Sequence, residues 1–400
     1  MLSPQPLPSS VFSRERAAGY DPERLRQARV LVVGAGAAGS NLIQTLALSG
    51  VANIYAVDPD HIEPSNLTRS PLYIRERMQG KRKRMKAKEV GIGLRSLGIP
   101  QLPRYLYATD YIEALGLGAI ADADVVAGCV DSNEVRALLA DWTRLVGKPY
   151  VEVGFRGEWL NVSVFPNTTE DEPCWRCDHP HVLRASASCS LYAEQATSSG
   201  LVPAIQAAAA TSASIAAEAV IQSLHGSFPM GNQRIHLNIR TGQSDKVELS
   251  RDPECPGAHK IWPKPAPLSV AAGDKVQALL DTLDTLLRDP VVEPPFPFVF
   301  KLPCKDCGKP IQLNRPVWKI RYAPKCKRCS PISQTSLTGP VVFSEIGHNE
   351  PVLNAPCQQI GLAPATVFSA YSAETNESGV FCLAGRTDDL YQELQKRQPE

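Results

Sequence analysis

Two groups of residues in this chain have types and spacings that could do chemistry. The first is cysteine. Six of the eleven cysteines fall in three Cys-x-x-Cys pairs, Cys174/Cys177, Cys304/Cys307 and Cys326/Cys329. Two thiolates at that spacing can turn toward one ion, and two such pairs complete a tetrahedral zinc site. The last two pairs are separated by 18 residues, the spacing of a zinc ribbon. In a secreted protein the same cysteines could form disulfides. Beside a nucleotide-binding motif they point to zinc in a reducing compartment. The second group is that motif, Gly34-x-Gly36-x-x-Gly39 with Asp58 19 residues further on. Glycines at this spacing permit a tight turn and close backbone approach to a phosphate, and the acid can reach a ribose hydroxyl.

Positioning these residues takes a particular order of elements. Val30 to Val33 reads as a buried parallel strand leading into the glycines, with a helical pattern through Leu48. Asn53 to Val57 reads as a second strand delivering Asp58. Ala123 to Val130 is another buried strand, ending at Asp131, with Arg136 on the helix after it. In open α/β sheets ligands bind where strands end, so Asp131 lies where a ligand would sit. Its structural alternative is a cap on the next helix. Tyr150 to Gly154 and Leu160 to Val164 read as later strands, and Pro203 to Leu224 as a helix rich in small residues. The expected fold class is α/β: a Rossmann-like, doubly wound, mostly parallel sheet, plus a C-terminal zinc-ribbon module and a small tail.

The twelve residues that begin at Asp58 narrow the chemistry. Asp58-Pro59-Asp60-His61-Ile62-Glu63-Pro64-Ser65-Asn66-Leu67-Thr68-Arg69 resembles the D-x-D-x-[IV]-x-x-S-N-[LI]-x-R signature of the E1-like adenylyltransferases. These enzymes activate the C-terminal carboxylate of ubiquitin-like proteins, including sulfur carriers. The resemblance runs from about Val11 to Gly226 and assigns expected roles. Gly34, Gly36, Gly39, Asp58, Asp60, Asn66, Arg69, Lys86 and Asp131 would hold ATP and its Mg²⁺, with Lys88 an alternate register for Lys86. Val11-Phe12-Ser13-Arg14 is similar to an N-terminal element whose arginine, here Arg14, reaches across a homodimer to the ATP phosphates. Pro173-Cys174-Trp175-Arg176-Cys177 resembles the first half of the family's zinc clip. The second half departs from the family's C-P-x-C, because Cys255-Pro256-Gly257-Ala258-His259 places alanine where cysteine is expected. His259 is then the implied fourth ligand beside Cys174, Cys177 and Cys255. Cys189, between the clip and the Pro203 helix, falls where several family members place a carrier-accepting cysteine.

The implied function is ATP-dependent adenylation of a ubiquitin-like protein ending in glycine, with thioester transfer to Cys189 and hand-off to an E2-like conjugating enzyme as later steps. The alternative within the family is a sulfur-carrier adenylyltransferase of thiamine or molybdopterin synthesis. A nucleotide-linked oxidoreductase would leave Asn66, Arg69, Asp131 and the clip unexplained, and a non-catalytic scaffold would have no use for Arg69, Lys86 and Asp131.

Composition sets outer bounds. At 43% hydrophobic the 400 residues can bury a large core, and a formal net charge of +1 argues against a dedicated nucleic-acid or membrane-surface protein. No apolar stretch reaches a membrane-spanning length, so a cytoplasmic protein is expected. The expected organisation is a disordered 1–10, an adenylation domain with zinc clip over 11–265, a helix and proline-rich linker over 266–303, the ribbon over 304–330 on Cys304, Cys307, Cys326 and Cys329, and a partner-binding tail over 331–400. The stripe Val276, Leu279, Leu280, Leu283, Leu286 and Leu287 has helical spacing and reads as core or docking face.

Overall fold

The computed structural model describes residues 11–79, 83–99, 102–156, 158–179, 205–304, 307–320, 326, 328–329 and 341–396. The chain divides into two compact units, one of residues 1–112, 120–261 and 391–400, the other of 113–119 and 262–390.

In the first unit, short helices α1 (Ser13–Ala17) and α2 (Pro22–Gln27) precede β1 (Arg29–Val33), α3 (Ala37–Leu48), β2 (Asn53–Val57), α4 (Lys86–Ser96), β3 (Arg104–Ala108), the two ends of α5 (Ile112–Asp122), whose residues 113–119 belong to the second unit, β4 (Val125–Gly128), α6 (Asn133–Leu145), β5 (Tyr150–Arg156), β6 (Trp159–Phe165), α7 (Gln206–Leu224), β7 (Gln233–Asn238) and β8 (Ser244–Glu248). The strands form one sheet in the order β3-β2-β1-β4-β5-β6-β7-β8. The first five are parallel and β6, β7 and β8 run antiparallel. The winding reverses between β1 and β4, so the crevice for a ligand opens at their carboxyl ends.

The helix pattern follows from what each face must bury. Leu42, Ile43 and Leu46 of α3 are fully buried against Val30 and Val32 of β1, each side chain contributing on the order of 2 kcal/mol. Helix α7 packs along α3. Its inward residues Ala213, Ala216 and Ala217 are small, which lets the two backbones approach closely. Among the described residues no helix is long and apolar enough to cross a membrane.

The second unit holds β9 (Ala266–Ala271), α8 (Val276–Leu283), β10 (Pro290–Glu293), β11 (Phe298–Pro303), β12 (Pro310–Pro316), β13 (Val341–Phe343), β14 (Val367–Ser372), β15 (Ser378–Ala384) and the start of α9 (Thr387–Lys396). One sheet runs β10-β14-β15-β9 and a second runs β12-β11-β13. The stretch expected to be a helix and linker therefore contributes strands. Prolines obscure them: Pro267 lies in β9 and Pro290 opens β10, and both are edge strands, where a missing N–H costs no ladder bond. Val276, Leu279, Leu280, Leu283 and Leu287 are core, whereas Leu286, beyond the end of α8, is 54% exposed. The stretch expected to be a tail supplies Phe368, Phe381 and Leu383 to the same core.

Candidate nucleotide site and metal clip

The glycine loop connects β1 to α3. Gly34 has φ of 94°, a left-handed conformation that glycine adopts without strain, and a Cβ there would collide with the Cys129 carbonyl. A Cβ on Gly39 would collide with the Gly34 carbonyl, which brings α3 hard against its own loop. Gly36 differs, since a Cβ there would meet nothing within 4 Å. Packing does not demand a glycine at that point, and the open space suits an approaching phosphate. Gly36 is also the N-cap of α3 and offers no side chain to the helix's first N–H groups, so those donors face the same space. The loop therefore fits the phosphates of a nucleotide.

Asp58, at the end of β2, is buried and braces this loop. Its Oδ2 accepts the Ala35 N–H at 2.7 Å and its Oδ1 accepts the Asp60 N–H at 2.8 Å. Burial pushes the carboxyl up to about 6, against the opposing pull of Lys86. The same Ala35 is gripped from the other side, where Tyr73 donates its hydroxyl to the Ala35 carbonyl at 2.7 Å. One residue of the loop is thus clamped by an acid and a phenol. Tyr73 belongs to no spacing pattern, so sequence reasoning misses it. Tyr73→Phe removes only the donor and leaves the Ala35 carbonyl unsatisfied, so it is expected to raise KM for ATP by about tenfold with kcat nearly unchanged. A wild-type KM in that variant would show that the clamp does not shape the loop.

Lys86 opens α4, and its Nζ lies 2.9 Å from Asp60 Oδ2. Arg69 comes directly after a 3-10 turn over Pro64–Thr68, and its carbonyl accepts from Asn41 Nδ2 at 3.3 Å. Asn41 also exchanges hydrogen bonds with Gln206 at the start of α7, which ties three segments together. Asn66 is buried within the 3-10 turn, where its Oδ1 accepts the Glu63 N–H at 3.0 Å. Asp131 is exposed beyond the end of β4. The cap on α6 is Ser132, whose hydroxyl accepts the Val135 N–H at 3.3 Å, so capping falls to the neighbour of Asp131. Arg136 pins this strand end by donating to the Val130 carbonyl at 2.7 and 3.1 Å, with fully buried Glu152 3.3 Å away. Arg14 is exposed on α1. Cys189 lies outside the described residues.

The structure gathers Cys174, Cys177, Cys255 and His259 into one cluster. Cys174 Sγ lies 3.8 Å from Cys177 Sγ and 3.7 Å from Cys255 Sγ, and His259 Nε2 lies 3.6 and 3.5 Å from Cys174 and Cys177 Sγ. A tetrahedral zinc ion with bonds of about 2.3 Å to sulfur and 2.0–2.1 Å to nitrogen has S···S edges of about 3.8 Å and S···N edges of about 3.5–3.6 Å. These four residues fit zinc, histidine included. Helix α6 supports both halves of the clip. Arg144, with no exposed surface, donates to the Thr169, Glu172 and Pro173 carbonyls ahead of Cys174. One turn earlier, Asp141 accepts the Ala258 N–H at 2.8 Å and pairs with Arg176 at 2.9 Å. Cys304, Cys307, Cys326 and Cys329 form a second cluster, with Cys307 and Cys326 Sγ 3.9 Å apart, which also fits zinc.

A switch-point crevice with a phosphate-shaped loop, an acid at the second strand and a separate metal clip defines a class, the Rossmann-like nucleotide-binding proteins that carry a thiolate clip. Comparison with known proteins narrows it. The ThiF family profile matches residues 12–257, and the chain belongs to that family of E1-like adenylyltransferases. It is 30% identical over 239 residues to a sulfur carrier protein adenylyltransferase of Thermus thermophilus, covering 58% of this chain and 83% of that one. It is 34% identical over 195 residues to the mouse adenylyltransferase and sulfurtransferase MOCS3, covering 45% of this chain but only 40% of MOCS3. Among solved structures, Escherichia coli MccB in complex with MccA-N7isoASN superposes with a TM-score of 0.51 at 18% identity, over 64% of this chain and 76% of that one, a likeness of fold alone.

Proposed function

We propose that the chain adenylates the C-terminal carboxylate of a small ubiquitin-like carrier protein ending in glycine. The observation that carries this reading is the glycine loop, clamped by Asp58 and Tyr73 and open at Gly36, inside a ThiF-family domain. A carboxylate oxygen of the carrier attacks the α-phosphorus of ATP. A P–O bond forms, the bond to the bridging oxygen breaks, and pyrophosphate departs with that electron pair. No side-chain nucleophile is needed for this step; position and charge neutralisation are. The α3 N-terminus cradles phosphate, Lys86 and Arg69 supply positive charge, and Asp58 accepts from a ribose hydroxyl. A magnesium ion on Asp131 would neutralise the phosphate oxygens when bound. Arg14 of a second copy would add charge across a homodimer. Asn66 shapes the 3-10 turn that presents Arg69.

The carrier is a sulfur carrier or a conjugated modifier. The name of the Thermus relative favours the first. The second is favoured by the folded unit over 262–390, which lies beyond the family match. Under that reading Cys189 accepts the carrier as a thioester, and an E2-like enzyme receives it. The deciding experiment is ATP–pyrophosphate exchange with candidate carriers, coupled to non-reducing electrophoresis. Exchange without a thiol-labile adduct would favour the sulfur carrier, an adduct lost in Cys189→Ala would favour conjugation, and no exchange with any glycine-terminated carrier would sink the proposal.

Asp58 gives this reading a pH signature. A ribose hydroxyl donates to the ionised carboxylate, so adenosine should bind best above pH 6 and weaken by up to about tenfold per unit below it. In the free protein the sign is opposite. The folded acid holds its proton more tightly than the unfolded one, so its contribution to stability is full below about pH 4 and is lost as pH rises through about 6. Calorimetry with adenosine, which has no phosphate to titrate, reads the binding effect. Asp58→Asn should abolish the step, and a step of unchanged size in that variant would assign it elsewhere.

A further inference from the structure

The chain's net charge of +1 conceals a strong local imbalance. Residues 301–330 contain nine Lys and Arg against a single acid, Asp306, a formal +8. The rest of the chain therefore carries −7. Four thiolates on a divalent ion would subtract two charges and leave this module at about +6.

Among the described residues, the structure puts five of these cations on the ribbon's outer surface. Lys301 on β11, Lys309 at the turn after Cys307, Arg315 on β12, Lys319 after it and Arg328 beside Cys329 are all exposed. Three of them are spread along one hairpin: Lys301 pairs in register with Gln312, Arg315 pairs with Val299, and the Lys309 carbonyl accepts the Cys304 N–H at 2.9 Å. The cysteine cluster, with ligand atoms within 4.8 Å of one another, draws Arg328 to the same end as Lys309. Among the described residues, no ion pair involves Lys301, Lys309, Arg315 or Arg328. Between them the exposed residues are Pro303, Gly308, Pro310 and Gln312. A folded acidic protein would ask for an apolar centre inside a charged rim, whereas the only apolar residues fully exposed between these cations, among the described residues, are Pro303 and Pro310. An aromatic edge is present instead. Trp318 is half-buried, 6.4 Å from Phe296, with Lys319 Nζ 5.0 Å from its ring. Dispersed cations with an aromatic edge match a flexible phosphodiester strand with unstacked bases.

We propose that the Cys304–Cys329 ribbon binds single-stranded nucleic acid, with Lys301, Lys309, Arg315, Lys319 and Arg328 on the phosphates. This function is separate from carrier adenylation. Whole-chain charge argues against it, but binding depends on the local field, which falls off within a Debye length of about 10 Å at 0.1 M salt.

The test is fluorescence anisotropy of full-length protein with labelled U20 RNA and dT20 DNA between 50 and 300 mM KCl. Five phosphate contacts should give a log–log salt slope of about −3.5. The combined K309Q/R315Q/R328Q variant should reduce that slope by about 2 units and weaken binding at 100 mM KCl more than about tenfold. Zinc content and pyrophosphate exchange should be unchanged, which separates a lost surface from a lost fold. Tighter binding of U20 than dT20, or the reverse, would show which kind of strand the ribbon prefers, and equal binding would mark recognition indifferent to the 2′-hydroxyl and the base methyl; each of these supports the proposal. No binding of either strand at 50 mM KCl, a slope untouched by the triple variant, or equal competition by polyglutamate of matched charge would overturn it, the last in favour of an acidic protein.

Discussion

Asp131→Ala is expected to lower ATP–pyrophosphate exchange by about 10²–10³-fold while the melting temperature stays close to wild type. The two halves of that expectation rest on separate observations. Asp131 is exposed beyond β4, so its removal opens no cavity. The α6 cap is Ser132, and the strand end is pinned through the Val130 carbonyl by Arg136, so the local backbone keeps its anchors without the aspartate. Under the proposed role, what is lost is one negative ligand at the switch-point crevice for the metal that would neutralise the departing pyrophosphate. Asp131→Asn separates the roles further. It retains the shape and an oxygen but removes the charge, so exchange should stay low while excess Mg²⁺ recovers part of it. Wild-type exchange in Asp131→Ala would rule the assignment out. A large fall in melting temperature would make Asp131 a structural residue instead.

The legible parts of this protein are those where one short segment carries the whole signal. Val30 to Gly39 announces strand, turn and helix by itself, because the apolar run and the glycines each obey a local rule. Cys-x-x-Cys does the same for the metal clusters. Tyr73 and Asn41 obey no such rule. Their partners are the Ala35 carbonyl, the Arg69 carbonyl and Gln206, groups brought near only by the folded chain. Arg144 and Asp141 are hidden for the same reason, since a backbone carbonyl 25 residues away or an N–H 117 residues away leaves no trace in spacing. In the second unit the strands are obscured by prolines, which signal linkers in general yet are tolerated on the edges β9 and β10. Asn66 is a different case. Its motif position is clear, but its side chain closes a capping box with Glu63, so local structure accounts for it before any ligand does.

Cys174→Ser is expected to reduce zinc from two ions per chain to one and to lower the melting temperature by roughly 10 °C or more, as losing a structural metal costs on the order of 4 kcal/mol. Cys174 is 2% exposed and touches every other member of the clip, so no rearrangement of the remaining ligands replaces it. The clip joins Cys174 and Cys177 to Cys255 and His259, two stretches some 80 residues apart in sequence. Without an ion the crowded thiols lose their common counter-charge, and Arg144 and Asp141 are left bracing a loop that no longer closes. His259 provides the sharper test, because the chain departs from its family there. His259→Ala should lose the same zinc ion. His259→Cys supplies a thiolate on a shorter side chain, and it should hold zinc only if Ala258 and its neighbours shift to bring the sulfur in. Elemental analysis and chelator competition on the three variants read ion number and affinity without reference to activity. Two tightly held zinc ions in His259→Ala would remove histidine from the clip, and a single zinc ion in the wild-type protein, unchanged by Cys174→Ser, would remove the clip as a metal site altogether.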